Sequence, residues 1–153
     1  MGRRLCILAA TLASVVQVTP ALALTHKERS LVTLINDVRH RNGVPSLAYD
    51  SALDRAASAH TLDMLHRRYF AHGDFVDRLL SFGVVGHRVG ENLAWGHGVY
   101  SDPRLIVRAW LASPEHRIVL LDRRYQRVGV AAASGPFAGW AEAIVVTADF
   151  AGG

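Results

Sequence analysis

The sequence predicts an α+β domain in which helices pack on a small, mostly antiparallel sheet. Three observations lead there. Apolar residues recur at helical spacing through most of residues 25–120, two apolar stretches near the C-terminus read as a hairpin, and the length suits one domain with a real core.

The first residues are read as a secretory leader and set aside. Arg3 and Arg4 form a positive start, Leu5 to Val18 is an apolar run, and Ala21-Leu22-Ala23 is a small-x-small cleavage pattern. This gives a signal peptide over 1–23 and a single domain over 24–153. The apolar run is short of the roughly 20 residues that a spanning helix needs, and no later segment supplies one. An exported protein, secreted or periplasmic, with no membrane span in its mature chain is the expectation. The one cysteine, Cys6, lies at the start of the run. The mature domain is therefore expected to use no disulfide, thiolate metal site or cysteine nucleophile.

"THKERSLVTLINDVRH" opens the domain with a Thr25-x-x-Glu28 capping box, followed by Leu31, Leu34, Ile35 and Val38 at helical spacing. Gly43 and Pro45 stop that helix. A second helix starts at Asp50 or Ser51, with Leu53, Ala56, Ala57, His60 and Met64 as its buried stripe. Asp74 is placed to cap a short third helix. From Gly83 to Gly98 the glycines argue for an ordered loop with close backbone approaches. A fourth helix is capped by Ser101 or Asp102, with Pro103 near its first turn, and a fifth by Ser113 with Pro114 at its first position. "RVGVAAA" and "WAEAIVVTADF" then flank a Ser-Gly-Pro turn region, with Glu142 facing outward.

Charge carries little functional information. Removing the leader takes two of the 17 Lys and Arg and none of the 13 Asp and Glu, lowering the formal charge from +4 to +2. The clusters "RHR", "HRR" and "DRRYQR" are short and broken, and read as solvated surface. No nucleic-acid partner is expected.

Eight histidines are many for this length. His26, His40 and His66 lie on polar helix faces, and His87 and His97 in the glycine-rich stretch, where surface placement is the plain reading. His60, on an apolar face, reads as a hydrogen-bonded core residue. His72, after "YFA", and His116, within "SPEHR", stand at element boundaries where a side chain can face a cleft.

At these residues the chain resembles a known family. "YFAH" (69–72), "GENLAWG" (90–96), "WLASPEHR" (110–117) and "RVGVA" (127–131) occur in the order and spacing of the CAP superfamily of cysteine-rich secretory, antigen 5 and pathogenesis-related proteins, and suggest its bacterial SCP-like branch. The resemblance covers about Glu28 to Phe150. It implies a three-layer α-β-α sandwich and a cleft holding His72, Glu91 and His116. Where eukaryotic members carry a second glutamate this chain has Ser113, with Glu115 as an uncertain substitute. The departure counts against a two-carboxylate mechanism.

Two imidazoles suit zinc or another divalent metal, and a carboxylate on the second ring nitrogen makes imidazole a better ligand. His72 and His116 are the expected metal ligands. Two protein ligands fall short of the three usual at catalytic zinc, so binding should be weak. The expected function is a ligand-binding module, with no separate organic cofactor. By resemblance its partner is an apolar small molecule, a lipid or an envelope component. Two alternatives stand beside it: a metal-assisted hydrolase of peptide or envelope polymers, with Glu91 as catalytic base, and a sterol- or lipid-binding or adhesion module without metal. Trp95, Trp110 and Trp140 are expected in the core or the cleft wall.

Overall fold

The computed structural model describes residues 24–153, so the leader expected over 1–23 lies outside the described residues. The first helix, α1 (His26–Arg41), begins at the capping box. The Thr25 hydroxyl accepts from the Glu28 amide, and the Glu28 carboxylate accepts from the Thr25 amide. Helix α2 (Ser51–Arg67) is capped by Asp50, whose Oδ1 accepts from the amides of Ala52 and Leu53. Its expected stripe, Leu53, Ala56, Ala57, His60 and Met64, is buried. Helix α3 (Phe75–Ser81) follows Asp74, which makes no capping bond with its side chain. Asp102 caps α4 (Pro103–Ala112) by accepting from the Arg104 amide. Helix α5 (Pro114–Leu120) restarts at once behind Ser113.

Four strands, β1 (Ala48–Tyr49), β2 (Arg88–His97), β3 (Arg127–Phe137) and β4 (Trp140–Gly152), form one sheet in the order β1-β3-β4-β2. β4 pairs antiparallel with both β3 and β2, and the short β1 pairs parallel with β3. Alternation along β4 explains the layers. Ile144, Val146, Ala148 and Phe150 join Leu31, Ile35, Ile106, Val107, Trp110 and Leu120 from α1, α4 and α5. The intervening residues face the other way: Ala143 and Val145 pack with Met64 and Leu65 of α2, and Ala151 with Leu53 and with Leu79 of α3. Both faces of β4 are covered, and the fold is the expected three-layer α-β-α sandwich.

Two strand expectations are corrected. The stretch read as a glycine loop is strand β2 for most of its length, because its glycines serve packing. A Cβ at Gly90 would collide with the Tyr125 hydroxyl, which itself donates to the Val89 carbonyl. The hairpin also turns later than expected. Ser134, Gly135 and Pro136 remain in β3, with a register shift between Gly135 and Phe137. The chain reverses at Ala138 and Gly139, both at positive φ (49° and 85°), a pairing that matches strand twist in a two-residue hairpin. Glu142 is exposed, as expected.

The "RHR" cluster also needs correcting. Arg39 is fully buried, and its guanidinium donates to the carbonyls of Pro45, Leu120, Asp122 and Tyr125 at 2.8–3.2 Å. It ties α1 to the segment that leads from α5 into β3. Replacing Arg39 by Met strands several buried carbonyls, each costing about 1–3 kcal/mol. Urea unfolding should show a loss of at least about 3 kcal/mol against the 5–15 kcal/mol typical of a domain. A change below about 1 kcal/mol would contradict this role.

Candidate functional site

Glu91 lies in the middle of the site and is nearly sealed, with 1% of its side chain exposed. Strand β2 carries it toward the α2–α3 layer, and three elements meet it there. Its Oε1 is 2.6 Å from Nδ1 of His72, in the segment between α2 and α3. Its Oε2 accepts from Nη2 of Arg78 on α3 and lies 3.9 Å from Nε2 of His60 on α2. Arg78 Nη2 also reaches Oδ1 of Asp149 at 3.4 Å, and Asp149 is the direct cross-strand partner of Glu91.

His116 is approached from the opposite face of the sheet. Asn92, the next residue of "GEN", points away from Glu91 and donates from Nδ2 to the His116 carbonyl at 3.0 Å. The His116 ring has Nδ1 2.8 Å from the Ser113 hydroxyl. Ser113 occupies the first cap position of α5 but gives its side chain to this histidine, leaving the helix amides without it. Glu115 is exposed, and its charge acts on the neighbouring His116. Consecutive residues of one strand thus hold the two histidines, Glu91 by ring and Asn92 by backbone. Burial lowers the pKa of His116, His72 acts in the same direction, and Glu115 opposes them.

Of the expected residues, His72 and Glu91 are joined directly, as are Ser113 and His116, while no hydrogen bond links Glu91 to His116. Among the described residues no group of three or more His, Cys, Asp or Glu side chains is arranged to hold a metal ion. Each histidine, however, is held by Nδ1 and keeps Nε2 without a protein hydrogen bond. That is the condition in which imidazole Nε2 serves as a ligand, its other nitrogen fixed by an outer group. Two imidazoles so held are donors of the kind that a divalent metal takes.

Sequence reasoning missed Arg78, Asp149 and the proximity of His60. Arg78 and Asp149 resembled surface charges, and only the β2–β4 register brings Asp149 beneath Glu91. His60 is the expected core residue, 4% exposed with Nε2 3.0 Å from the Ala71 carbonyl. The tryptophan expectation holds for Trp110 alone, buried with Nε1 donating to the Leu93 carbonyl at 2.8 Å. Trp95 and Trp140 are 40% and 48% exposed. Trp95 meets Phe137 edge-on, and Trp140 stacks on His97. A cavity of about 240 Å³ beside Trp95, His97 and Tyr100 lies at that end of β2, separate from the His72–Glu91 pair.

An α-β-α sandwich with a buried carboxylate bonded to a histidine narrows the class, and sequence comparison names it. The chain belongs to the CAP, or cysteine-rich secretory protein, family, whose model matches residues 32–150. It is 33% identical over 108 residues to the uncharacterized protein YkwD of Bacillus subtilis, covering 67% of this chain and 41% of that one. A crystal structure of an extracellular SCP-domain protein from Bacillus anthracis superposes with a TM-score of 0.70 at 29% identity, over 83% of this chain and 40% of that one. An outer surface protein of Borrelia burgdorferi shares the fold at a TM-score of 0.68 and 20% identity, over 83% of this chain and 93% of that one. The chain thus spans about two fifths of the length of YkwD. No helix among the described residues is long and apolar enough to cross a membrane.

Burial shapes the titration of the site. It pushes Glu91 up to about 7 despite the Arg78 guanidinium, which pulls the other way. Burial, aided by the Arg78 charge, drives His60 down to about 4. A histidine depressed in the folded state contributes stability above its unfolded value near 6.5 and loses it as pH falls through 4. Glu91, raised by burial, acts in the opposite sense, so the comparison is with a variant that removes only His60. Relative to His60→Gln, the wild type should lose about 3 kcal/mol between pH 6.5 and 4. Paired urea melts across that range check it, and parallel pH profiles would contradict a neutral buried imidazole.

Proposed function

We propose that the chain is an exported CAP-domain binding module that takes a divalent metal weakly through Nε2 of His72 and Nε2 of His116. The supporting observation is that both rings are fixed through Nδ1, by Glu91 at 2.6 Å and by Ser113 at 2.8 Å. Glu91 accepts from Nδ1–H of His72, which selects the tautomer with a bare Nε2. Ser113 does the same for His116 when its oxygen accepts. The bound metal would supply a Lewis-acidic centre with open positions for water or a ligand oxygen. Export is supported by the leader-like residues 1–23 and by the similarity to the extracellular Bacillus anthracis protein.

The geometry favours binding over hydrolysis. A general base must reach the proton that it takes. Glu91 has 1% of its side chain exposed, and its two oxygens are engaged by His72 and Arg78. Its role is to hold a histidine. A partner of lipid or envelope chemistry finds its support elsewhere, in the exposed Trp95, Tyr100 and Trp140.

Calorimetric titration with zinc tests the metal reading. At pH 7.5 the wild type should bind, and the His72→Ala/His116→Ala double variant should not. Glu91→Gln should weaken binding about 10-fold, the lower end of the range for outer-shell partners. Binding should also fade in acid, where a protonated imidazole has no lone pair to give a metal. Equal affinity in the wild type and the double variant would overturn the assignment.

A further inference from the structure

At the far end of β2 the protein leaves a row of apolar side chains uncovered. The strand ends at His97, and the chain then makes a single turn of 3-10 helix over Gly98–Ser101 before α4. Val99 and Tyr100 on that turn are 72% and 62% exposed. The turn itself is held firmly. A Cβ at Gly96 would collide with the Tyr100 carbonyl, Gly98 takes a positive φ, and the Asp102 amide donates to the Val99 carbonyl at 3.2 Å. Tyr100 meets His97 edge-on, and His97 stacks on Trp140 of β4, so the aromatic row runs from this turn to the β3–β4 hairpin.

Cations flank this row. Val99 shares one surface hollow with Lys27 of α1 and with Arg104 and Arg108 of α4, and Trp140 shares another with Arg68, which ends α2. Among the described residues Lys27, Arg68 and Arg108 form no ion pair. Arg104 is paired with Asp102, the acid that lines the first hollow, and Glu142 is exposed two residues after Trp140. Four cations thus stand against two acids. Exposed apolar residues scattered singly are ordinary, but contiguous ones beside unpaired cations are not. Trp and Tyr settle at a membrane–water interface, where the ring body meets the acyl boundary and the polar tip stays wet. Lys and Arg beside them meet anionic headgroups, each strengthening attachment about fivefold.

We infer that this end of the protein docks on an anionic lipid bilayer, with Val99, Tyr100 and Trp140 entering the interface and the four cations meeting the headgroups. The partner is a bilayer and not a single lipid molecule, because these side chains stand out from a turn and a hairpin and do not enclose a chamber. The cavity of about 240 Å³ beside Tyr100 borders neither Val99 nor Trp140. Attachment is peripheral, and its strength follows the apolar area buried together with the charge of the lipid surface. Docking of this kind rests on the lipid-partner reading of Tyr100 and Trp140 and needs no metal at His72 or His116.

Sedimentation of the metal-free mature protein with phospholipid vesicles tests the docking. Vesicles of mixed phosphatidylglycerol and phosphatidylcholine should carry the protein down at about 0.1 M salt, and about 1 M salt should release most of it. Vesicles of phosphatidylcholine alone should leave it in solution. Lys27→Ala/Arg108→Ala should weaken attachment about 25-fold, at about fivefold for each cation. Val99→Ser/Tyr100→Ser, which removes the apolar tips, should weaken it at least about 10-fold. All four positions are exposed, so both variants should fold as the wild type does. Equal sedimentation with neutral vesicles overturns the anionic surface while leaving a lipid partner, and no sedimentation with either kind overturns both. Attachment that survives the Ser pair overturns insertion and marks a cationic patch for a soluble polyanion. Attachment untouched by loss of Lys27 and Arg108 likewise overturns the docking surface. A failed zinc titration beside intact vesicle binding would count against the metal site alone.

Discussion

A carboxylate almost without solvent is expensive unless every oxygen is answered, and the organisation around Glu91 follows from that constraint. Oε2 is answered by Arg78, which anchors α3 to the sheet. Oε1 is answered by His72, which fixes the chain between α2 and α3. Because His72 meets Glu91 through Nδ1 and is 54% exposed, its Nε2 is left toward solvent. The same bond that settles a buried charge therefore presents a ligand nitrogen. Removing one partner of such a group leaves an uncompensated charge, so structural and binding roles cannot be separated at Glu91 by deletion alone.

The strand that carries Glu91 works on both of its faces. Glu91 points to the α2–α3 layer, and Asn92 points to α5 and holds the His116 backbone. Trp110 of α4 donates to the carbonyl of Leu93, fixing the next residue of the same strand. Packing is dense enough that Gly90 has no room for a methyl group beside Tyr125. This rigidity matters for the proposed pair of imidazole ligands. Weak sites depend on preorganisation, since few contacts must offset the cost of ordering them. Ser113 adds to it from the helix side. Where the resemblance to eukaryotic members led one to look for an acid, a hydroxyl orients His116 through Nδ1. The substitution removes a charge but keeps a hydrogen-bonding partner.

Helices were legible because their signals are local. Thr25 with Glu28, Asp50 and Asp102 each cap where the sequence places them, and the α2 stripe is buried residue for residue. Strand β2 was not legible, since its residues are covered on both faces and its glycines serve close packing, which erases the alternation that marks a half-exposed strand. Buried charge was invisible for a different reason. Arg39 is answered by four carbonyls from distant segments, Arg78 of α3 by a carboxylate of β2, and Asp149 comes beside Glu91 only through sheet register. No local pattern distinguishes them from surface charges. The His72–Glu91 contact was legible through motif order, because each residue belongs to a short recognisable string. Its supporting groups belong to none.

The central claim is that Glu91 turns His72 so that Nε2, paired with Nε2 of His116, faces an incoming metal. A crystal of the mature domain soaked in zinc at neutral pH tests it most directly. The account predicts one ion bound by both Nε2 atoms, with Glu91 still on Nδ1 of His72 and Ser113 still on Nδ1 of His116. An ion ligated by the Glu91 carboxylate, with the His72 ring swung away, would contradict it.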